Sequence, residues 1–193
     1  MTMMAALLLA ALGGSLVMLS NTEAAASSNF QAGAQVLYAA EATLERAVAE
    51  IGAVGDWTEV LAGSVHASML EAGGRPVTSW NETLDLVAVT AGIQAQSAAL
   101  GGLGANTPRW RLFASGPFSV MVASATEAQG AAYVAAWVAD DAADRDDQPE
   151  SDSNGVIQVR AWAIDVAGLR RCVQAVIRRH DAIVSVLSWR EII

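Results

Sequence analysis

The stretch from Asp140 to Gly155 concentrates the residues best suited to chemistry. It carries Asp140, Asp141, Asp144, Asp146, Asp147, Glu150 and Asp152 against the single cation Arg145, and it closes in Asn154-Gly155. Carboxylates this dense repel one another unless a cation or solvent comes between them. Glu150-x-Asp152-x-Asn154-Gly155 follows the first half of a calcium loop, in which oxygens at alternate positions converge and Gly permits the sharp turn. The second half departs from that pattern: Ala161 stands where a bidentate Glu should close the loop, so further ligands must come from the Asp140 to Asp146 side. The candidate calcium ligands are therefore Asp140, Asp141, Asp144, Asp146, Asp152 and Asn154. The competing reading is an acidic loop that is merely solvated or disordered.

Other chemistries find little support, and the expectation is that the chain is not an enzyme. The histidines are His66 and His180, with no paired His for zinc, no Gly-x-Ser-x-Gly elbow and no phosphate loop. Cys172 is the sole cysteine, so no intrachain disulfide can form, and in the strand-like run Arg171-Cys172-Val173-Gln174 it reads as a small buried hydrophobe. Twenty acidic residues against 11 basic ones give a net charge of −9, which argues against a nucleic-acid partner. Bases cluster at Arg170, Arg171, Arg178 and Arg179, read as the solvent face or edge of strands.

The elements that must carry the acidic loop divide the 193 residues into a stalk, residues 1–51, and a domain, residues 52–193. Residues 1–21 hold no charged side chain, and the first one met is Glu23. At about 1.5 Å per residue, a helix of that length just crosses a bilayer core. The helix then continues: Val36, Leu37, Ala40, Leu44, Ala47, Val48 and Ile51 draw one apolar stripe opposite Gln35, Glu41, Glu45 and Glu50, and Gly52 supplies the stop. Glu23 and Glu41 lie on one side of this stalk, as contacts for basic groups of neighbours or as a solvated face. An ordinary signal peptide cleaved near Ala24-Ala25-Ala26 is the alternative, opposed by the long apolar run and the lack of a preceding Lys or Arg. With no cation in the span, the acidic domain is expected outside the cytoplasm.

Thr22-Glu23, Asn29 and the run from Tyr38 through Glu41, Leu44 and Arg46 to Ala47 resemble the N-terminal segment of PilX-type pilus assembly proteins, minor pilins of the type IV filament superfamily. Pro108-Arg109-Trp110, Asn154-Gly155-Val156 and Leu187-Ser188-Trp189-Arg190-Glu191 are similar to members of that group as well. The resemblance implies a structural or priming subunit of a type IV pilus, held in the bacterial inner membrane with its domain extracytoplasmic and then carried to the cell surface. Its partners would be other pilins, met through the N-terminal helix. Prepilins carry a basic leader ending in Gly, so Met1 is expected at the mature end or the leader upstream. Most major pilins have glutamate at the fifth mature residue; Ala5 stands there in this numbering, as in subunits placed at a filament tip. Gly13-Gly14 can loosen the span as it passes from lipid to a filament core, or simply allow close helix packing. The alternative function is a single-pass, membrane-anchored extracytoplasmic binding domain unrelated to filaments.

In the domain, Asp56-Trp57-Thr58-Glu59 has the spacing of a capping box, opening a short helix that Gly63 ends. Residues 64–82 read as loop with a helical turn near Met69, residues 84–90 as a strand, and residues 91–108 as loop. Residues 110–114, 118–122, 133–139, 156–164, 169–179 and 183–192 are rich in β-branched and aromatic residues and read as strands, the last three paired consecutively and antiparallel. Val173, Ala175 and Ile177 mark a face turned inward. The fold class is α+β, a long N-terminal helix packed on a C-terminal antiparallel β-sheet, which is also the pilin-like architecture that the resemblance implies.

Overall fold

The computed structural model describes residues 2–67, 77–79, 82–99, 106–121, 132–181 and 183–192, with the backbone alone described at residues 2, 5–8, 77–79 and 82–83. A single helix, α1, runs Thr2–Gly52, and the chain divides into two units, Met1–Gln35 and Val36–Ile193. The first unit is helical from Thr2 onward, and every side chain over residues 9–31 is exposed, including Leu9, Leu12, Leu16, Val17, Met18, Leu19 and Phe30. Among the described residues no helix is long and apolar enough to cross a membrane; the side chains of residues 5–8, which complete the uncharged run in the sequence, lie outside them.

The second unit begins where α1 acquires a buried side. Val36, Ala39, Ala40, Leu44, Ala47 and Ile51 recur at helical spacing and enter the core, while Leu37 and Val48 pack partly against it. Thr43 lies on the same side, its hydroxyl donating to Ala39 O at 2.7 Å so that no polar group is left bare. The end of the helix is pinned from outside: Trp57 Nε1 donates to Ile51 O at 3.0 Å, Arg179 stacks 4.8 Å from the Trp57 ring, and its Nη1 donates to Val54 O and Gly55 O. The chain turns back through α2 (Trp57–Leu61), capped as its sequence predicts by Asp56, whose carboxylate accepts from Thr58 N at 2.9 Å.

A two-stranded hairpin follows, β1 (Val77–Ser79) with β2 (Glu82–Leu84), then α3 (Leu86–Ala99), β3 (Arg111–Pro117), α4 (Phe118–Met121), β4 (Tyr133–Asp140), β5 (Val156–Ile164), β6 (Arg170–His180) and β7 (Ile183–Ile192). Strands β3 to β7 form one antiparallel sheet in sequence order, the arrangement that short connections favour. In β7, Val176 pairs with Ser188 but Ile177 pairs with Val186, so Leu187 is an extra residue, a β-bulge in an edge strand.

The sheet is covered on both faces at β4 and β5, where the sequence suggested one, while the edge strand β7 is largely exposed. Val134, Ala136, Val138, Val159, Ala161, Val173, Ala175 and Ile177 share a core with α1, whereas Tyr133, Trp137, Trp162 and Ile164 join Leu86 and Trp110 in a second cluster. The second face is closed by α3: Trp137 Nε1 donates to Thr90 Oγ1 at 2.8 Å, and Trp110 Nε1 to Ser97 Oγ at 2.6 Å. Residues 86–90 and 91–99 are therefore corrected from strand and loop to the helix Leu86–Ala99, whereas Leu84 ends β2, residues 106–108 are irregular as expected, and residues 100–105 lie outside the described residues. The cause is Asp85, whose carboxylate accepts from the N–H groups of Val87 (2.9 Å) and Ala88 (3.1 Å) and starts a helix that β-branched residues disguise. The strand expected over residues 118–122 is instead the short α4, as far as Met121. The turn expected near Met69 lies outside the described residues, as do most residues of that loop; at its far end residues 77–79 and 82 are corrected from loop to β1 and the start of β2, which pair with each other.

Candidate metal centre

The acidic loop leaves β4 at Asp140 and enters β5 at Val156, so its two ends are fixed in adjacent strands. Its outer part is held by Glu150, which accepts hydrogen bonds from Arg109 and from Arg111, the latter at 2.5 Å. Its return is held by Asp152, whose Oδ1 accepts from Gly155 N (2.7 Å) and Val156 N (3.2 Å). Gly155 takes φ +72°, and a Cβ there would come within 3.0 Å of Arg179 O, so the position requires Gly.

Within this frame three of the six predicted ligands come together. Oxygens of Asp140, Asp141 and Asp144 lie within 4.8 Å of one another, and all three residues are buried, Asp140 completely. The other three turn to structural tasks. Asp146 accepts from Gln148 N at 2.9 Å; Asp152 caps the return turn; Asn154 accepts from Val156 N through Oδ1 and donates to Asp141 Oδ1, both at 2.7 Å. Asp144 takes the Ser153 N–H at 2.9 Å and the Ser153 hydroxyl at 2.5 Å. One member of the cluster escaped the sequence reading altogether. Asn106, 5% exposed, donates through Nδ2 to Asp140 Oδ2, and its N–H bonds to Ala142 O at 3.2 Å. It lies 34 residues before Asp140, and nothing in its own neighbourhood marks it.

The electrostatics follow from burial. Desolvation pushes the Asp140 carboxyl up to about 7, with the Asp141 N–H opposing and the charges of Asp144, Asp141 and Asp152 adding. Burial also works against Asp144, but hydrogen bonds from Ser153, Arg145 and Asp146 outweigh it and hold that carboxyl below its usual range. Asp152 is raised, again chiefly by burial, against N–H donors and Arg179. Among the described residues none of Asp140, Asp141 and Asp144 forms an ion pair, so the group presents only oxygen atoms, the donor set of a hard cation.

The residues singled out on the helix are placed as follows. Ala5 lies in α1 with its side chain outside the described residues; Gly13 and Gly14 have open space around them; Glu23 is exposed and Glu41 half-buried. Leu44, read as a position on the filament helix, is a member of the domain core. Cys172 is half-buried and packs on the Trp-lined cluster, and of the four clustered arginines Arg170 and Arg178 are exposed. Compared with protein-family models, curated proteins and solved structures, the chain finds no match in any of the three.

Proposed function

We propose that this chain is a minor pilin, a structural or priming subunit of a type IV filament or related surface assembly, that enters the assembly through α1 and presents the domain to partners. One observation carries the reading: over residues 9–31 the helix exposes every side chain although Leu9, Leu12, Leu16, Val17, Met18 and Leu19 are among them. Covering such a side chain is worth about 1.5–3 kcal/mol, and six close together make a patch that a protein in water rarely tolerates. A lipid bilayer supplies the cover before assembly, and the helices of sibling subunits supply it afterwards. The likeness of residues 22–47 to PilX-type segments supports the same reading, as does a helix packed on an antiparallel sheet.

The test is to tag the chain at its C-terminus in its own cells, shear off the surface filaments and blot filaments, membranes and medium. The expected result is full-length protein in both membranes and filaments, with filaments lost or fewer when the gene is deleted. Protein confined to membranes, with filaments unaffected by deletion, would instead mark a solitary anchored domain. A shortened soluble product beginning near Ala24 would show that the helix is a discarded signal.

A further inference from the structure

We propose that the buried cluster at the end of β4 binds one calcium ion through Asp140, Asp141, Asp144 and the amide oxygen of Asn106. The three carboxylates converge within 4.8 Å, are buried, and form no ion pair among the described residues. Acidic groups alone make no binding site, since a loop can satisfy them with its own N–H groups, as Asp140, Asp141 and Asp144 each do in part. The independent sign is Asn106 Oδ1. It is buried, on a side chain 5% exposed whose amide reaches Asp140, and among the described residues it has no hydrogen-bond partner. A buried acceptor without a donor costs about 1–3 kcal/mol. The same amide is seated on Asp140, so a cation held by the three carboxylates would serve this acceptor and the acids alike.

The amide makes the site adjustable. Turning the Asn106 amide half a revolution exchanges Nδ2 for Oδ1 toward Asp140, and which of the two faces a neighbour is fixed only by the hydrogen bonds around it. With a cation between the carboxylates, the amide oxygen becomes a fourth ligand with no movement of the backbone. Oxygen-only ligands select a hard cation, and those available here come from two separate chain segments at uneven spacing. Calcium accepts six to eight oxygens in flexible geometry, whereas magnesium demands a near-ideal octahedron and keeps its waters. The ion would tie the segment at Asn106 to the loop between β4 and β5. This inference stands apart from the filament reading, because it needs only the second unit to be folded.

The full chain, purified in detergent with EDTA and then freed of chelator, is titrated with calcium chloride by calorimetry and melted with calcium, magnesium or EDTA. Calcium is expected to bind one to one and to raise Tm by about 5 °C or more at saturation, with magnesium giving far less. Asp141→Asn and Asn106→Ala are each expected to weaken calcium binding at least tenfold, and Asp147→Asn, on an exposed neighbour, to leave it unchanged. Should either of the first two fail to fold, Asn106→Asp keeps the shape, adds a ligand charge and is expected to tighten binding. Absence of heat and of any Tm shift with calcium would overturn the proposal. So would equal loss of binding in Asp147→Asn, which would place the ion among the exposed carboxylates instead.

Discussion

Cys172 faces Trp162 across the β5–β6 ladder and lies close enough to Arg160 and Glu191 to feel both charges. Burial pushes its thiol up to about 11, with Arg160 pulling down and Glu191 pushing further up. Folding therefore favours the protonated thiol. The unfolded chain ionises it near pH 9 while the folded chain does not, so this contribution to stability is whole below pH 9 and lost between about 9 and 11. Two results are expected: alkylation of Cys172 by iodoacetamide at pH 8 at least about tenfold slower in the folded protein than in urea, and a fall in Tm from pH 9 to 11 that Cys172→Ala lessens. Equal labelling rates in the two states would contradict the burial. Nearby, Arg160 is buried with no carboxylate partner among the described residues; its guanidinium is held by Gln174 and Gln96 and stacks 4.8 Å from Trp110. Burial lowers its pKa, with Cys172 opposing and the charge of Arg190 adding.

At the scale of elements, α1 uses one helix for two environments. Ala39, Ala40 and Ala47, each at most 1% exposed, join Leu44 and Ile51 in the core that α1 shares with the sheet. Leu44→Ala is expected to cost about 2–4 kcal/mol in urea unfolding. Leu12→Ser should leave that unfolding curve unchanged and reduce retention in the membrane fraction instead. A destabilised domain in Leu12→Ser would mean that the first unit supports the second. The α1 stripe could be read from the sequence because its apolar residues recur at helical spacing, and β4 to β7 because their branched and aromatic runs end at plain turn signals. α3 could not, since its Val, Ala and Gln residues gather on no single stripe and its cap, Asp85, sits just after a strand-like triplet. The acidic loop was legible as a concentration of charge. Which three carboxylates converge was not, because Ser153, Asn154 and the exit of β4 decide that, and Asn106 joins them only through the fold.

For the whole molecule, two units imply two responses to attack. The second unit has a continuous core, whereas residues 9–31 expose every side chain they carry. Elastase acting on detergent-solubilised protein is expected to cut first near Ala24-Ala25-Ala26 and to leave a fragment that still melts cooperatively with the Tm of the intact chain. Early cleavage inside β3 to β7 would contradict that order. The bulge at Leu187 matters on this scale too. By looping out one residue it lets Val186 and Trp189 both line the groove beside Glu41 and Val48 of α1, while Arg190 pairs opposite Gln174 on the reverse face. Without the skip, the downstream half of the strand would turn over, setting the Arg190 guanidinium above the groove and swinging the Trp189 indole to the far side. The same kink breaks the even row of amide groups along the outer border, making β7 a poor template for a foreign strand. An outermost strand bent in this way is a built-in defence against runaway cross-β polymerisation.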